Sequence, residues 1–153
     1  MNLFIDECIA KKTTRVAADF MKLAKPPVNM QHFFDLFTPN ERNDEVWARQ
    51  LTQNNDPWIV ITADKGTRSK KGAPLQLILP AYQVTGYFLS AKIAQGCGFE
   101  KLRAIISVLG QIRANQQEHP PGTRFKINRF EHSFKVVIWP LKINEQEWVN
   151  KYQ

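Results

Sequence analysis

Three aspartates stand where a parallel sheet would collect its ligands. Asp6 follows the apolar run 3–5, Asp64 follows the largely apolar run 58–63, and Asp44 lies in the first turn of a segment with helical spacing. Ligands of open parallel sheets bind at the carboxyl ends of the strands, where the loops converge. We therefore expect Asp6 and Asp64 to face one site.

A hydrophobic core does not require an aspartate at two strand ends, and repulsion between the carboxylates opposes it. Neighbouring carboxylates disfavour each other's ionisation unless a cation shares them. Mg²⁺ and Mn²⁺ are hard cations that take oxygen ligands. The pattern therefore predicts a divalent-metal site.

Each aspartate also has a purely structural alternative. Asp6 can cap the first helix, Asn43 or Asp44 can cap the second, and Asp64 can begin a turn, because short polar side chains accept hydrogen bonds from nearby backbone N–H groups.

Charge makes nucleic acid the leading class of partner. The net charge is +7 and the pI about 9.6, and each phosphate that Lys or Arg neutralises releases condensed counterions. The segment 65–72 carries four positive charges and no apolar residue, so it is predicted to be a loop directly after Asp64. A solvated surface loop, or a face that binds an acidic protein, is the alternative.

Apolar runs and their spacing predict an α/β fold. Buried strands are expected at 3–5, 28–33, 58–63 and 85–89, and an antiparallel hairpin at 124–129 and 134–139. Helices are expected at about 8–24, with Ile9, Val16, Phe20 and Leu23 inward, around Val46, Trp47 and Leu51, and at 98–117. Alternating strands and helices build a three-layer α/β/α domain with a mainly parallel sheet, here as one domain over 1–153.

Other features limit the class of protein. No apolar run approaches the ~20 residues of a membrane-spanning helix, and no export signal is evident, so a cytoplasmic protein without membrane contact is expected. The two cysteines, Cys8 and Cys97, have no metal-ligand spacing and are expected to be reduced core residues. The histidines His32, His119 and His132 share no ligand spacing and are given no role.

Three short motifs together resemble one known family. The residues LFIDECI at 3–9, DEVW at 44–47 and WIVITAD at 58–64 resemble the PIN-domain family, and especially the PIN-like branch of VapC-type toxins from toxin–antitoxin pairs. In that branch a short strand ends in Asp-Glu, an Asp opens a helix carrying a Trp, and an apolar strand ends in Asp. The resemblance covers about residues 2–90.

The resemblance implies a set of metal-ligating residues. Asp6 matches the first acid of the family, Asp44 the helix-opening acid and Asp64 the strand-end acid. Glu7 and Glu45 are further candidate ligands, although alternation can point Glu7 away and Glu45 stands one position earlier than the family's glutamate. A fourth acid found shortly after the strand-end Asp in many members is replaced here by the basic loop.

The resemblance also implies an activity and partners. A PIN-type toxin is a Mg²⁺- or Mn²⁺-dependent endoribonuclease, in which the metal supplies hydroxide near neutral pH and neutralises charge on the phosphate. RNA contacts are then expected from the loop residues Lys65, Thr67, Arg68, Lys70 and Lys71, with Thr62 as a further hydroxyl. An antitoxin protein and a homodimer are the expected protein partners.

Two other functions fit the same residues. A degenerate PIN-like domain would bind RNA or protein without cleavage, which the missing fourth acid favours. A protein-interaction module would use the basic face to recognise an acidic peptide, and an exposed Phe130 or Phe134 on the terminal hairpin would suit a peptide partner. Asp35 resembles a family acid, but its position favours a structural hydrogen bond.

Overall fold

A six-stranded sheet with helices on both faces is the framework of the molecule. The computed structural model describes residues 1–53, 56–64 and 73–152. The strands are β1 (Asn2–Ile5), β2 (Asn29–His32), β3 (Trp58–Thr62), β4 (Thr85–Leu89), β5 (Arg124–Phe130) and β6 (Ser133–Ile138). Their order is β2-β1-β3-β4-β5-β6; the first five are parallel and β6 pairs antiparallel with β5. The predicted α/β class and the C-terminal hairpin are confirmed.

Of the eight helices of the described chain, seven lie between strands and the last follows β6. They are α1 (Lys11–Met21), α2 (Phe33–Leu36), α3 (Asp44–Leu51), α4 (Leu75–Ala81), α5 (Ala91–Ala94), α6 (Gly98–Ser107), α7 (Leu109–Glu118) and α8 (Ile143–Asn150), with a 3₁₀ turn at Pro39–Glu41. In the described part of the chain, none of them has the length and apolar character needed to cross a membrane.

Alternation along the strands divides the core into two halves. Leu3 and Ile5 of β1 pack with α1, α6 and α7, whereas Phe4 between them packs with α2, α3 and α4 on the other face. All five residues of β3 are buried, because a parallel strand covered on both faces has no solvent side. Asp6 and Thr62 continue the pattern on the face that holds α3.

The predicted inner face of the first helix is wrong for three of its four residues; Ile9, just before α1, is buried as predicted. Val16, Phe20 and Leu23 are 51%, 55% and 76% exposed, whereas Ala17 and Met21 are buried. The buried face carries smaller side chains, so α1 lies close to the sheet and to α6. The contact with α6 is so close that a Cβ added at Gly98 would come within 2.7 Å of the Thr13 hydroxyl. Close packing of the backbones thus decides which face is buried.

Other predictions need smaller corrections. The predicted helix 98–117 is two helices, α6 and α7, that meet at Val108. Val46 is 41% exposed rather than inward. Neither cysteine is a core residue: Cys97 is exposed, and Cys8 exposes its backbone while its sulfur turns inward to Asp6. Apolar periodicity predicts neither α4, which is apolar almost all round and contains Pro80, nor α8, which buries only Val149.

Two alanine substitutions test which face of α1 is buried. Met21→Ala should lower the free energy of unfolding by about 2–4 kcal/mol, because it leaves a cavity in the core. Phe20→Ala should change it by less than about 1 kcal/mol, because that ring is half in solvent. Urea unfolding measures both, and a larger loss for Phe20→Ala would contradict the observed orientation of the helix.

Candidate active site

The Asp6 carboxylate is held at the carboxyl ends of β1 and β3. Its Oδ1 accepts a hydrogen bond from the Glu7 N–H at 2.7 Å, and its Oδ2 accepts from the Thr62 hydroxyl at 2.8 Å and the Cys8 thiol at 3.1 Å. Its own N–H donates to the Ile61 carbonyl, one step beyond the β1–β3 ladder. Only 6% of Asp6 is exposed, so these donors replace water.

The Thr62 hydroxyl links the two strand-end aspartates. It donates to Asp6 and accepts from the Asp64 N–H at 3.0 Å, which fixes the backbone where β3 turns away from the sheet. Thr62 is fully buried. The expectation that its hydroxyl contacts RNA is therefore wrong; the hydroxyl positions the acids instead.

The Cys8 sulfur also contacts the ends of both strands. Its sulfur donates to Asp6, lies 3.2 Å from the Thr62 hydroxyl and accepts from the Ala63 N–H at 3.1 Å. Burial of the sulfur, followed by the charge of Asp6, raises the pKa of the Cys8 thiol. Because the thiolate is the reactive form, Cys8 is a structural donor here and is not suited to act as a nucleophile.

Asp44 approaches the strand ends from α3. The Trp47 indole N–H donates to Asp44 Oδ1 at 3.1 Å, and the indole stacks on the Phe4 ring with centroids 5.0 Å apart. Phe4 is a residue of β1, so this stack ties the orientation of the Asp44 carboxylate to the strand that carries Asp6.

The structural alternatives for two of the acids do not hold. The N-cap of α1 is Ala10, so Asp6 does not cap that helix. The N-cap of α3 is Asn43, whose side chain accepts from the Glu45 N–H at 3.0 Å. The Asp44 carboxylate therefore remains available to the site.

Four carboxylates, Asp6, Glu7, Asp44 and Asp64, form what we call the acidic cluster. Burial is the main cause that raises the pKa of Asp44 from 3.8 to about 6, and the charges of Asp6, Asp64 and Glu7 raise it further, against the hydrogen bond from Trp47. The pKa of Asp6 is also raised, by burial and to a smaller extent by the charge of Asp64, against its three hydrogen bonds. The fold thus brings the three predicted aspartates into one electrostatic environment.

The two candidate glutamates have other partners. Glu7 pairs with Arg42 at 2.9 Å, although its charge still acts on Asp44. Glu45 is exposed and accepts a hydrogen bond from the Tyr82 hydroxyl at 3.0 Å. Glu7 is therefore beside the acidic cluster, whereas Glu45 contacts the end of α4.

The acidic cluster suits a divalent cation in the type of its donors and in its charge. Carboxylate oxygens are the ligands that Mg²⁺ and Mn²⁺ prefer, and a cation would relieve the repulsion that raises the pKa of Asp44. Among residues 1–53, 56–64 and 73–152, no three His, Cys, Asp or Glu side chains are already gathered at metal-binding distances. Binding would require the carboxylates to move inward.

Two neighbouring polar residues have structural roles. Asp35 accepts from the His32 N–H at 3.0 Å and pairs with Lys11 at 2.7 Å, as expected for a structural hydrogen bond. The buried His32 ring accepts from the Phe34 N–H at Nδ1, so its Nε2 carries the proton that is donated to the Ile9 carbonyl at 2.8 Å. This bond braces the turn that follows Asp6.

The predicted RNA-binding residues of the basic loop, Lys65, Thr67, Arg68, Lys70 and Lys71, lie outside the described residues. On the terminal hairpin, Phe130 is 48% exposed and Phe134 is buried, so of these two rings Phe130 is the one that can meet a partner.

A pocket of about 260 Å³ opens beside Asp64, and the sequence interpretation missed it. Its walls include Phe88, Ser90, Lys126 and Trp139. Ser90 directly follows β4, as Asp6 directly follows β1, so the rule that selected Asp6 would also have selected Ser90. Lys126 stands between two apolar residues of β5, which marks it as facing the opposite side of the sheet from them.

Comparison of the chain with family models, with curated proteins and with solved structures finds no match.

Replacing the Asp44 carboxylate should stabilise the protein at neutral pH. The pKa is raised in the folded state, so the ionised carboxylate destabilises it; this penalty is absent below the unfolded pKa of 3.8 and complete above about 6. Asp44→Asn should raise the free energy of unfolding by roughly 1–2 kcal/mol at about pH 7.5 and by less than half of that near pH 4.5. The value allows for the partial exposure of the carboxylate.

Urea unfolding of both proteins across this range, without divalent ions, measures the gain. Asp19→Asn removes an exposed carboxylate from α1 and serves as the control, with no such pH dependence. If the gain in stability for Asp44→Asn does not change with pH, the ionised form of Asp44 does not destabilise the folded protein.

Proposed function

We propose that the chain is a Mg²⁺- or Mn²⁺-dependent endoribonuclease of the PIN-like type. The observation that carries the proposal is the grouping of Asp6, Asp44 and Asp64 at the carboxyl ends of the parallel strands, with the Thr62 hydroxyl bonded both to the Asp6 carboxylate and to the Asp64 N–H. Burial, and to a smaller extent the charges of Asp6 and Asp64, raise the pKa of Asp44. Acids kept close at an energetic cost are typical of functional sites. The order of the motifs at 3–9, 44–47 and 58–64 supports the same conclusion.

Each residue then has a definite part. Asp6, Asp44 and Asp64 hold the ion, with Glu7 beside them, while Thr62 and Trp47 orient the acids. The bound ion supplies an acidified water and neutralises charge on the phosphate during hydrolysis. No side chain of the cluster has to act as a covalent nucleophile, which agrees with the raised pKa of Cys8.

The net charge of +7 suits a substrate that carries many phosphates. In this proposal RNA is drawn in by Lys65, Arg68, Lys70 and Lys71, with Thr67 as a further contact. The resemblance to the VapC-type toxins adds an antitoxin protein as a partner, a homodimer and a cytoplasmic location.

The second candidate is an RNA-binding domain that does not cleave. The hydrogen bonding of Asp6 favours it, because the two carboxylate oxygens already accept three hydrogen bonds. In the described part of the chain, no three candidate ligands lie at metal-binding distances, which favours it as well. Salt-dependent RNA binding without metal-dependent cleavage would be its signature.

Cleavage of single-stranded RNA tests the enzyme directly. With Mg²⁺ or Mn²⁺, Asp6→Asn and Asp64→Asn should each lower the cleavage rate by about a hundredfold or more, because each removes a ligand of the ion. Asp19→Asn should cleave as the wild type does. Equal rates in all four proteins would exclude the acidic cluster as the source of activity.

Thermal unfolding tests the ion separately from catalysis. An ion that binds only the folded state at a hundred times its Kd stabilises by about 2.7 kcal/mol, which for a chain of this size raises Tm by roughly 5–10 °C. We expect Mn²⁺ to produce such a shift in the wild type and in Asp19→Asn but not in Asp44→Asn. A shift of the same size in Asp44→Asn would place the ion elsewhere.

A further inference from the structure

The pocket beside Asp64 has the composition of a binding site for a flat, partly polar group. Phe88, Leu89, Ala91 and Trp139 give it apolar walls, and Ser90 and Lys126 are its polar members apart from Asp64. Ligand sites commonly combine apolar walls with a few fixed polar groups. At about 260 Å³, the pocket has room for a group of the size of one nucleobase.

Ser90 lies in the wall of this pocket, and its hydroxyl is turned away from the open space. Its Oγ is buried and has no hydrogen-bond partner within the described part of the chain, and it does not cap the short α5 that follows. The Ser90 backbone is fixed, because its N–H donates to the Ile127 carbonyl at 2.9 Å. A buried hydroxyl without a partner is unfavourable, so a ligand that pairs with it gains affinity.

Lys126 supplies a positioned cation. Its ammonium lies 4.2 Å from the centroid of the Trp139 ring, and among the described residues it makes no ion pair, whereas Arg124 on the same strand is paired with Glu145 at 2.9 Å. The ring attracts the ammonium and fixes its position, and the N–H groups that do not point at the ring are available to a ligand. Lys126 is therefore a donor of the pocket, and a rotation of the Ser90 side chain would add a second.

We infer that this pocket receives an unpaired RNA base next to the cleaved linkage and selects guanine. Guanine presents two neighbouring acceptors, O6 and N7, which lysine commonly contacts, whereas adenine presents an amino group in place of O6. The base must be unstacked to enter, as in most sequence-specific recognition of RNA. The inference rests on the proposed function for RNA as the ligand and for the position of the pocket beside the site of cleavage.

A phosphate is the less suitable occupant. The walls are mainly apolar rings and aliphatic side chains, and Asp64 lines the same pocket, so a phosphate would lose its hydration beside a carboxylate. The two occupants also predict different binding: a phosphate contact would weaken binding to every sequence and reduce its salt dependence, whereas a base contact would change the preference between sequences.

The test measures binding without cleavage, in EDTA, by fluorescence anisotropy. The probes are single-stranded RNAs of about ten nucleotides: oligoadenylate, the same strand with one guanine, and that strand with 7-deazaguanine, which lacks the N7 acceptor. We expect the wild type to bind the guanine strand about tenfold more tightly than oligoadenylate, with most of the gain lost for 7-deazaguanine.

Variants assign the preference to the pocket. Lys126→Met, which keeps the aliphatic stem over Trp139, should reduce the preference to about twofold with little change in oligoadenylate binding, and Ser90→Ala should reduce it in part. Lys126→Arg, which restores donors, should retain it. Lys22→Met removes an exposed charge at the end of α1 and should leave it unchanged.

The outcomes separate this inference from the nuclease proposal. A guanine preference that depends on Lys126 supports the pocket even if no RNA is cleaved. Metal-dependent cleavage by a wild type with no base preference would overturn the pocket and leave the nuclease intact. Equal weakening of all three strands by Lys126→Met, with a shallower salt dependence, would also overturn it, because Lys126 would then contact a phosphate.

Discussion

The rest of the candidate site depends on one buried carboxylate, that of Asp6. A carboxylate that is withdrawn from water is tolerated when hydrogen bonds replace its hydration, and here the Glu7 N–H, the Thr62 hydroxyl and the Cys8 thiol do so. Because Thr62 also accepts from the Asp64 N–H, a single hydroxyl sets the geometry of two acids on neighbouring strands. Asp44 is then held against them at a cost in stability, which is common where function requires like charges to be close.

The sheet followed from the sequence more readily than the helices did. The runs that became β1 and β3 are apolar without alternation, a pattern typical of strands that are covered on both faces. The buried face of α1 was predicted wrongly because Val16 and Phe20 have helical spacing but lie on the outer side. The inner side is formed by smaller residues such as Ala17, which are less hydrophobic but allow closer packing. The helix α8 was missed because it buries only Val149 and so has no apolar periodicity; its Glu145 also pairs with Arg124, 21 positions away.

Within the candidate site, sequence identified the acids but not what holds them. Strand ends and helix starts are local features, so Asp6, Asp44 and Asp64 could be selected from spacing and from the resemblance to the PIN domains. The hydrogen bond between Thr62 and Asp6 joins residues 56 positions apart, and the pocket of Ser90 and Lys126 joins β4 to β5. Such contacts arise from strand order, which the sequence alone left open.

The outward side of α1 also bears on how molecules of this protein meet in solution. Val16, Phe20 and Leu23 expose apolar surface on a molecule of net charge +7. Mutual repulsion keeps such molecules apart at low ionic strength, but its range shrinks from roughly 30 Å at 0.01 M salt to about 8 Å at 0.15 M. Since the attraction between apolar faces is not screened, colloidal stability should fall as salt is added.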